Sequence, residues 1–133
     1  MTADAVRALV GIQYKAQGAR LSDGGLDCAG ACAEALALMD IHVPDHAWAW
    51  TGGDREAAIE AYLCMSGGTW SRVEGARREG DVYVTGRGTH LGVAVLVDVR
   101  LGMAITALPS VGVVLLPLAR LGTIREAMRW TPS

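Results

Sequence analysis

The stretch "GGLDCAG", residues 24–30, places Cys28 directly after Asp27, between glycines and at the start of an alanine-rich apolar run. Asp27 is well placed as an N-cap, so the pattern predicts a helix from Cys28 to Met39 with the thiol in its first turn. A thiol at a helix N-terminus lies near free backbone amides and the positive end of the helix dipole, which both favour the thiolate. Cys28 is therefore a candidate nucleophile, and the alternative is a small core residue.

A nucleophilic thiol needs a base, and the chain has three histidines. His90 is the best placed, because it begins the apolar run "LGVAVLV" after the flexible loop "TGRGT". His42 and His46 lie beside Pro44 and are predicted to be surface residues. A cysteine that opens a helix is more often a packing residue than a catalytic one, so spacing alone leaves both interpretations open.

The other cysteines, Cys32 and Cys64, are predicted to lie in the core. Three cysteines without a repeated spacing do not indicate a disulfide framework, and reduced thiols are expected. A zinc site would combine Cys28, Cys32 and a loop histidine, but C-x3-C without a second pair departs from the usual zinc spacings. We expect no bound metal.

Composition limits the class of protein. The 133 residues fit one domain, residues 1–133, and a net charge of −2 disfavours nucleic acid as a partner. The N-terminus lacks a basic segment followed by an apolar one, so no signal peptide is expected. The uncharged run 101–119 is broken by Thr106 and by prolines, which favours two buried strands and a turn over membrane insertion.

The remaining pattern divides the chain into a helical half and a strand-rich half. Residues 3–10 and 55–65 predict two further helices, the second ending at Gly67 and Gly68. From Gly80 onwards, β-rich runs alternate with turn signals. These runs are "DVYVTG", "LGVAVLV", "GMAITAL" and "VGVVLLPL". The fold class predicted is α+β, with an antiparallel sheet after the helices.

Four motifs, in this order along nearly the whole chain, resemble those of NlpC-type papain-like cell-wall peptidases. That family has a G-x-x-Y segment, then D-C-[SA]-G with the nucleophilic cysteine, then G-D at the start of the sheet, then H-[VL]-G with the base. The matching segments here are Gly11 to Tyr14, Asp27 to Gly30, Gly80 with Asp81, and His90 to Gly92. The resemblance implies an NlpC-type fold in which the cysteine-bearing helix packs on the sheet.

The resemblance also implies roles for individual residues. Cys28 would be the nucleophile, and His90 the base that later protonates the leaving amine. Tyr14 would hydrogen-bond substrate or help to hold the oxyanion, and Asp27 would help to recognise the amine end of a stem peptide. The alternatives stay open that Asp27 only caps the helix and that Tyr14 only packs.

The third catalytic position departs from the family pattern. The family has His, Asn or Gln on the strand after the base strand, where it orients the imidazole, whereas the equivalent segment "GMAITAL" offers Thr106. A threonine hydroxyl can accept one hydrogen bond from the ring but orients it less firmly. We expect Thr106 to point toward His90, on the strand face that it shares with Ala104 and Leu108.

The resemblance implies hydrolysis of an amide bond in bacterial peptidoglycan stem peptides, typically next to D-glutamate and a diamino acid, with no cofactor. In its C-terminal segment, and in having no wall-binding repeat, the chain resembles the phage-tail branch of the family. We therefore expect a virion protein at the tail tip, with other tail-tip proteins as partners. Two alternatives remain, an active cysteine peptidase and a structural tail-tip module with weak or no catalysis. Trp48, Trp50 and Trp70 do not separate them, although at least one is expected to be in the core.

Overall fold

A computed structural model describes residues 2–15, 24–43, 68–87 and 90–132. Two α-helices come first, α1 (Thr2–Arg7) and α2 (Cys28–Leu38). The strands that follow are β1 (Gly68–Arg72), β2 (Val82–Arg87), β3 (His90–Asp98), β4 (Met103–Leu108), β5 (Gly112–Pro117) and β6 (Ile124–Pro132). A short 3-10 turn, Leu118–Arg120, separates the last two strands.

Within the described residues, six strands form one antiparallel sheet in the order β1-β6-β2-β3-β4-β5. Strands β2 to β5 are neighbours in sequence and in space, whereas β6 returns to insert between β1 and β2. No helix in the described part of the chain is long and apolar enough to span a membrane. The uncharged run 101–119 forms β4, a turn and β5, as predicted.

The core lies between α2 and one face of the sheet. Strand alternation explains its composition, because every second residue of the central strands faces the helix. From the strands it includes Val82, Val84, Val93, Val95, Val97, Ile105 and Ala107. From α2 it includes Ala31, Cys32, Ala35 and Leu36, and the small side chains let the helix approach the sheet closely.

Strands β1 and β6 are not among the elements predicted from the sequence. They pair from Gly68 with Pro132 to Arg72 with Met128. Trp70 and Trp130 face each other across this pair, with ring centroids 5.3 Å apart and planes 69° from parallel, an edge-to-face contact. Trp70 is buried, which confirms that at least one of the three tryptophans considered above belongs to the core. Trp48 and Trp50 lie outside the described residues.

The Gly80-Asp81 motif has a structural role at the start of β2. Asp81 is only 1% exposed, and its carboxylate accepts hydrogen bonds from Arg129 Nε at 2.7 Å and Nη2 at 2.9 Å. The Arg78 backbone N–H donates a third bond to the same group, at 2.9 Å. Gly80 has φ +96°, and a Cβ there would lie 2.8 Å from Ile41 Cδ1. The motif therefore links the start of β2 to β6 through Arg129, and to the segment after α2 through the close packing of Gly80 on Ile41.

The α+β class, the first two helices and four of the strands agree with the sequence predictions. The structure adds that the sheet is wider than predicted, because residues 68–72 form β1 and residues 124–132 form β6. The helix predicted over residues 55–65, with Cys64, lies outside the described residues. His42 is exposed, as predicted, and its Nε2 lies 3.2 Å from Asp40 Oδ1, while His46 is outside the described residues.

Candidate functional site

Cys28 lies in the first turn of α2, as the sequence predicted. Asp27 caps the helix with φ −83° and ψ −175°, and its Oδ1 accepts a hydrogen bond from Gly30 N–H at 2.7 Å. This cap fixes the direction in which the helix begins and so the position of the thiol. Cys28 is a free thiol with an intermediate exposure, whereas Cys32 is fully buried one turn later. Of these two thiols, only Cys28 reaches a surface cavity.

Tyr14 is brought to the start of α2 by a short backbone pairing. Lys15 N–H donates to Leu26 O at 3.2 Å and Leu26 N–H donates to Gln13 O at 3.0 Å, which forms a parallel bridge between Tyr14 and Leu26. Gly25 permits this approach, since a Cβ there would lie 2.6 Å from Gln13 O. The same segment is held against β5, where Gly11 N–H donates to Val113 O at 2.9 Å and Val113 N–H to Ile12 O at 2.8 Å.

Strands β3 and β4 supply the facing side of the site. Their register runs from Asp98 opposite Met103 to Val95 opposite Ile105, and both strands continue beyond this last pair. In this continuation, the Thr106 hydroxyl donates a hydrogen bond to Val93 O at 2.7 Å. Thr106 is 6% exposed, so the bond is shielded from water. The side chain thus donates to a main-chain carbonyl of the neighbouring strand.

These elements enclose a cavity of about 390 Å³. It is lined by Tyr14, Cys28, Thr85, Gly92, Thr106, Ala107, Leu108, Pro109, Leu116, Arg120 and Leu121. The absence of a side chain at Gly92 helps to keep the cavity open, because a Cβ there would already lie 3.0 Å from Thr85 Oγ1. The cavity therefore contains a thiol, a phenol, two threonines and an arginine, with apolar walls between them.

The pKa of the Cys28 thiol is raised, and burial is the largest cause. The backbone amides of Val93, Ala29 and Cys28 itself act in the opposite direction, while the Asp27 carboxylate adds to the increase. The nearby amides favour the thiolate, as the sequence predicts. Burial and the adjacent carboxylate outweigh the amides, so the resting group is a thiol that needs a base.

Two titratable groups near Cys28, Tyr14 and Cys32, also have raised pKa values. The pKa of Tyr14 is raised by burial first, and then by the charges of Cys28 and Asp27. The pKa of Cys32 is raised well above its ordinary value, mainly by burial. Tyr14 and Cys28 therefore both lie within electrostatic reach of the Asp27 carboxylate. The structure thus brings together three of the five predicted site residues at the start of α2.

His90 and Thr106 are the other two predicted site residues. The His90 backbone begins β3, with its Cα opposite that of Arg87, two positions before the cavity residue Gly92. The His90 side chain lies outside the described residues, so the predicted Cys28–His90 separation and the predicted direction of Thr106 toward His90 stay predictions. What the structure adds is that the Thr106 proton is already donated to Val93 O, which leaves its oxygen to act as an acceptor.

Several cavity residues are absent from the set predicted by sequence. Thr85, Leu116 and Arg120 come from β2, β5 and the 3-10 turn, and no local spacing links them to Cys28. The described residues contain no group of three or more His, Cys, Asp or Glu side chains that could hold a metal ion. Thiol, hydroxyl and guanidinium groups beside apolar walls suit the binding of a polar organic molecule.

No protein-family model matches this chain, and no curated protein matches it. The likeness to the NlpC-type peptidases therefore rests on the order of motifs along the sequence.

Proposed function

We propose that this protein is an NlpC-type cysteine peptidase that hydrolyses an amide bond in bacterial peptidoglycan stem peptides. The observation that carries the proposal is the position of Cys28, in the first turn of a capped helix and in the wall of the cavity that Tyr14 and Thr106 also line. A cysteine that serves only as packing has no need of such access. The motif order in the sequence supplies the family and the substrate class.

In the first step, the thiol is activated. The raised pKa of Cys28 keeps it protonated at neutral pH, so attack requires proton transfer to a base, for which we propose His90. The sulfur then bonds to the scissile carbonyl carbon, and the carbonyl oxygen takes the negative charge. Backbone amides near the sulfur, including those of Cys28 and Val93, can donate to this developing charge, and Tyr14 is the candidate side-chain donor.

In the second step, the carbon–nitrogen bond breaks and the imidazolium of His90 gives its proton to the departing amine. The acyl group remains as a thioester on Cys28. Water then attacks the thioester with His90 as base again, and release of the carboxylic acid returns the thiol. Asp27, which lies close enough to affect the pKa of both Tyr14 and Cys28, is the candidate group for a substrate ammonium.

Purified protein incubated with peptidoglycan fragments tests the proposal, with the products read by mass spectrometry. We expect one new amine and one new carboxylate per cleaved bond, and no cleavage by Cys28→Ala or His90→Gln. Cys32→Ala is the matched control, because it removes a buried thiol of the same helix that the mechanism does not use. Cleavage that survives in Cys28→Ala would contradict the proposed nucleophile.

A second candidate function is a structural tail-tip module with the same fold and little or no catalysis. One observation favours it, the threonine at the third catalytic position, where a hydroxyl orients an imidazole less firmly than His, Asn or Gln would. A well-folded wild-type protein that turns over no stem peptide would support this alternative. In both cases the proposed setting is a phage tail tip, with tail proteins as partners and the bacterial wall as the site of action.

A further inference from the structure

We propose that Arg120 forms a carboxylate-binding subsite in the Cys28 cavity and so determines which stem peptides are accepted. This inference rests on the proposed peptidase function and extends it to the part of the substrate that lies away from the scissile bond. None of the four motifs named above, and none of the residues assigned to catalysis, includes Arg120. Its place in the cavity depends instead on the 3-10 turn that carries it.

Arg120 is the last residue of the 3-10 turn Leu118–Arg120, directly after β5. The turn is attached at its start, where Leu118 N–H donates to Gly102 O at 2.9 Å, and it is closed by its own bond from Leu121 N–H to Leu118 O at 3.1 Å. Leu116 at the end of β5 and Leu121 after the turn line the cavity beside Arg120. The arginine is thus held at the cavity by a defined piece of backbone, with aliphatic side chains on both sides.

The charge of Arg120 is not used within the described part of the chain. The ion pairs among described residues are His42 with Asp40, Arg72 with Glu126, and Arg129 with Asp81. Among the cavity-lining residues that the structure describes, Arg120 carries the only formal charge at neutral pH. Arg120 is exposed, so its guanidinium lies at the solvent edge of the cavity. A guanidinium there that pairs with no described carboxylate is suited to bind a carboxylate of a ligand in a two-bond geometry.

Cys28 and Arg120 lie beside different strands of the sheet. Cys28 lies against β3, where the Val93 amide acts on its sulfur, whereas Arg120 follows β5, two strands further across the sheet. Two strand spacings correspond to roughly 10 Å, the reach of about three extended residues. The site therefore has an acidic group, Asp27, beside the nucleophile and a basic group two strands away. A peptide with a free amine near one end and a carboxylate within a few residues matches this order of charges.

In a stem peptide, the carboxylate has two sources, the α-carboxylate of D-glutamate and the carboxylate of the diamino acid. Four L-alanyl-γ-D-glutamyl-L-lysine probes distinguish them, with neither, either or both carboxylates amidated. For each probe, kcat/KM is measured with the wild type, Arg120→Gln and Arg120→Lys. The matched control is Arg7→Gln, which removes an exposed arginine of α1 that does not line the cavity. Probe binding is measured in parallel by calorimetry with Cys28→Ala, with and without Arg120→Gln.

We expect the wild type to lose about 10- to 100-fold in kcat/KM when the recognised carboxylate is amidated, the range for a charge-assisted hydrogen bond. Arg120→Gln should lose the same factor on the free-acid probe and nothing on the amidated one, Arg120→Lys should lose less, and Arg7→Gln should behave as wild type. Equal discrimination by wild type and Arg120→Gln, in turnover or in binding, would overturn the subsite. If no probe is cleaved but Cys28→Ala binds the free acid in an Arg120-dependent way, the subsite stands and the peptidase proposal fails.

Discussion

Removing the Thr106 hydroxyl tests how the sheet is held together beside the nucleophile. Thr106→Val keeps the branched shape but leaves Val93 O without the donor that now lies 2.7 Å away in a buried position. A buried carbonyl that loses its partner costs about 1–3 kcal/mol. For 133 residues, the entropy of unfolding is about 0.28 kcal/mol/K, so 1 kcal/mol corresponds to about 4 °C in Tm. We therefore expect Thr106→Val to lower Tm by about 4–11 °C.

The matched control is Thr106→Ser, which keeps the hydroxyl and removes one methyl group, a loss of about 0.8 kcal/mol of burial. Calorimetry gives the Tm of both variants, and peptide hydrolysis gives their rates. If the Thr106 oxygen also accepts a hydrogen bond from the base, turnover should fall about two- to tenfold in Thr106→Val and be largely retained in Thr106→Ser. If Thr106→Val is as stable as wild type and Thr106→Ser is less stable, the methyl group contributes to stability and the hydroxyl does not. Higher turnover in Thr106→His would indicate a weakened triad.

Other expected outcomes follow from charges and burial. Asp27→Asn keeps a capping oxygen but removes the charge that raises the pKa of Cys28, so alkylation by iodoacetamide at pH 7 should be faster than in wild type, and an unchanged rate would contradict that coupling. In mild alkylation followed by peptide mapping, Cys28 should be labelled well before the fully buried Cys32, and the reverse order would contradict the nucleophile assignment. Both thiols have raised pKa values in the folded state, so their contribution to the free energy of unfolding should be constant below the ordinary thiol pKa of about 9 and should fall as the pH rises above it; a rise in that contribution would refute the burial argument. Arg129→Met leaves the buried Asp81 carboxylate without its partner and should lower the free energy of unfolding, measured by urea denaturation at pH 7, by about 3–5 kcal/mol. A loss under about 1 kcal/mol would show that the pair behaves as an exposed one.

The local features of this protein are determined by its sequence alone. The acidic N-cap, the alanine-rich helix that follows it, and the four apolar runs with turn signals between them each depend on neighbours within a few residues. For the same reason, the residues around Cys28 are enough to place it in the first turn of a helix. The α+β class follows from the order of these elements along the chain.

The partners across the fold are decided only by tertiary structure. Sequence patterns do not reveal β6, because its residues 124–132 mix charged and apolar side chains and become a strand through pairing with β1 and β2. The bonds from Arg129 to Asp81 and from Thr106 to Val93 O join positions 48 and 13 residues apart. Arg120 reaches the cavity only because β5 lies two strands from β3. Sequence periodicity determines which face of an element is apolar, but it does not determine which element that face meets, because partner choice depends on packing and burial summed over the whole chain.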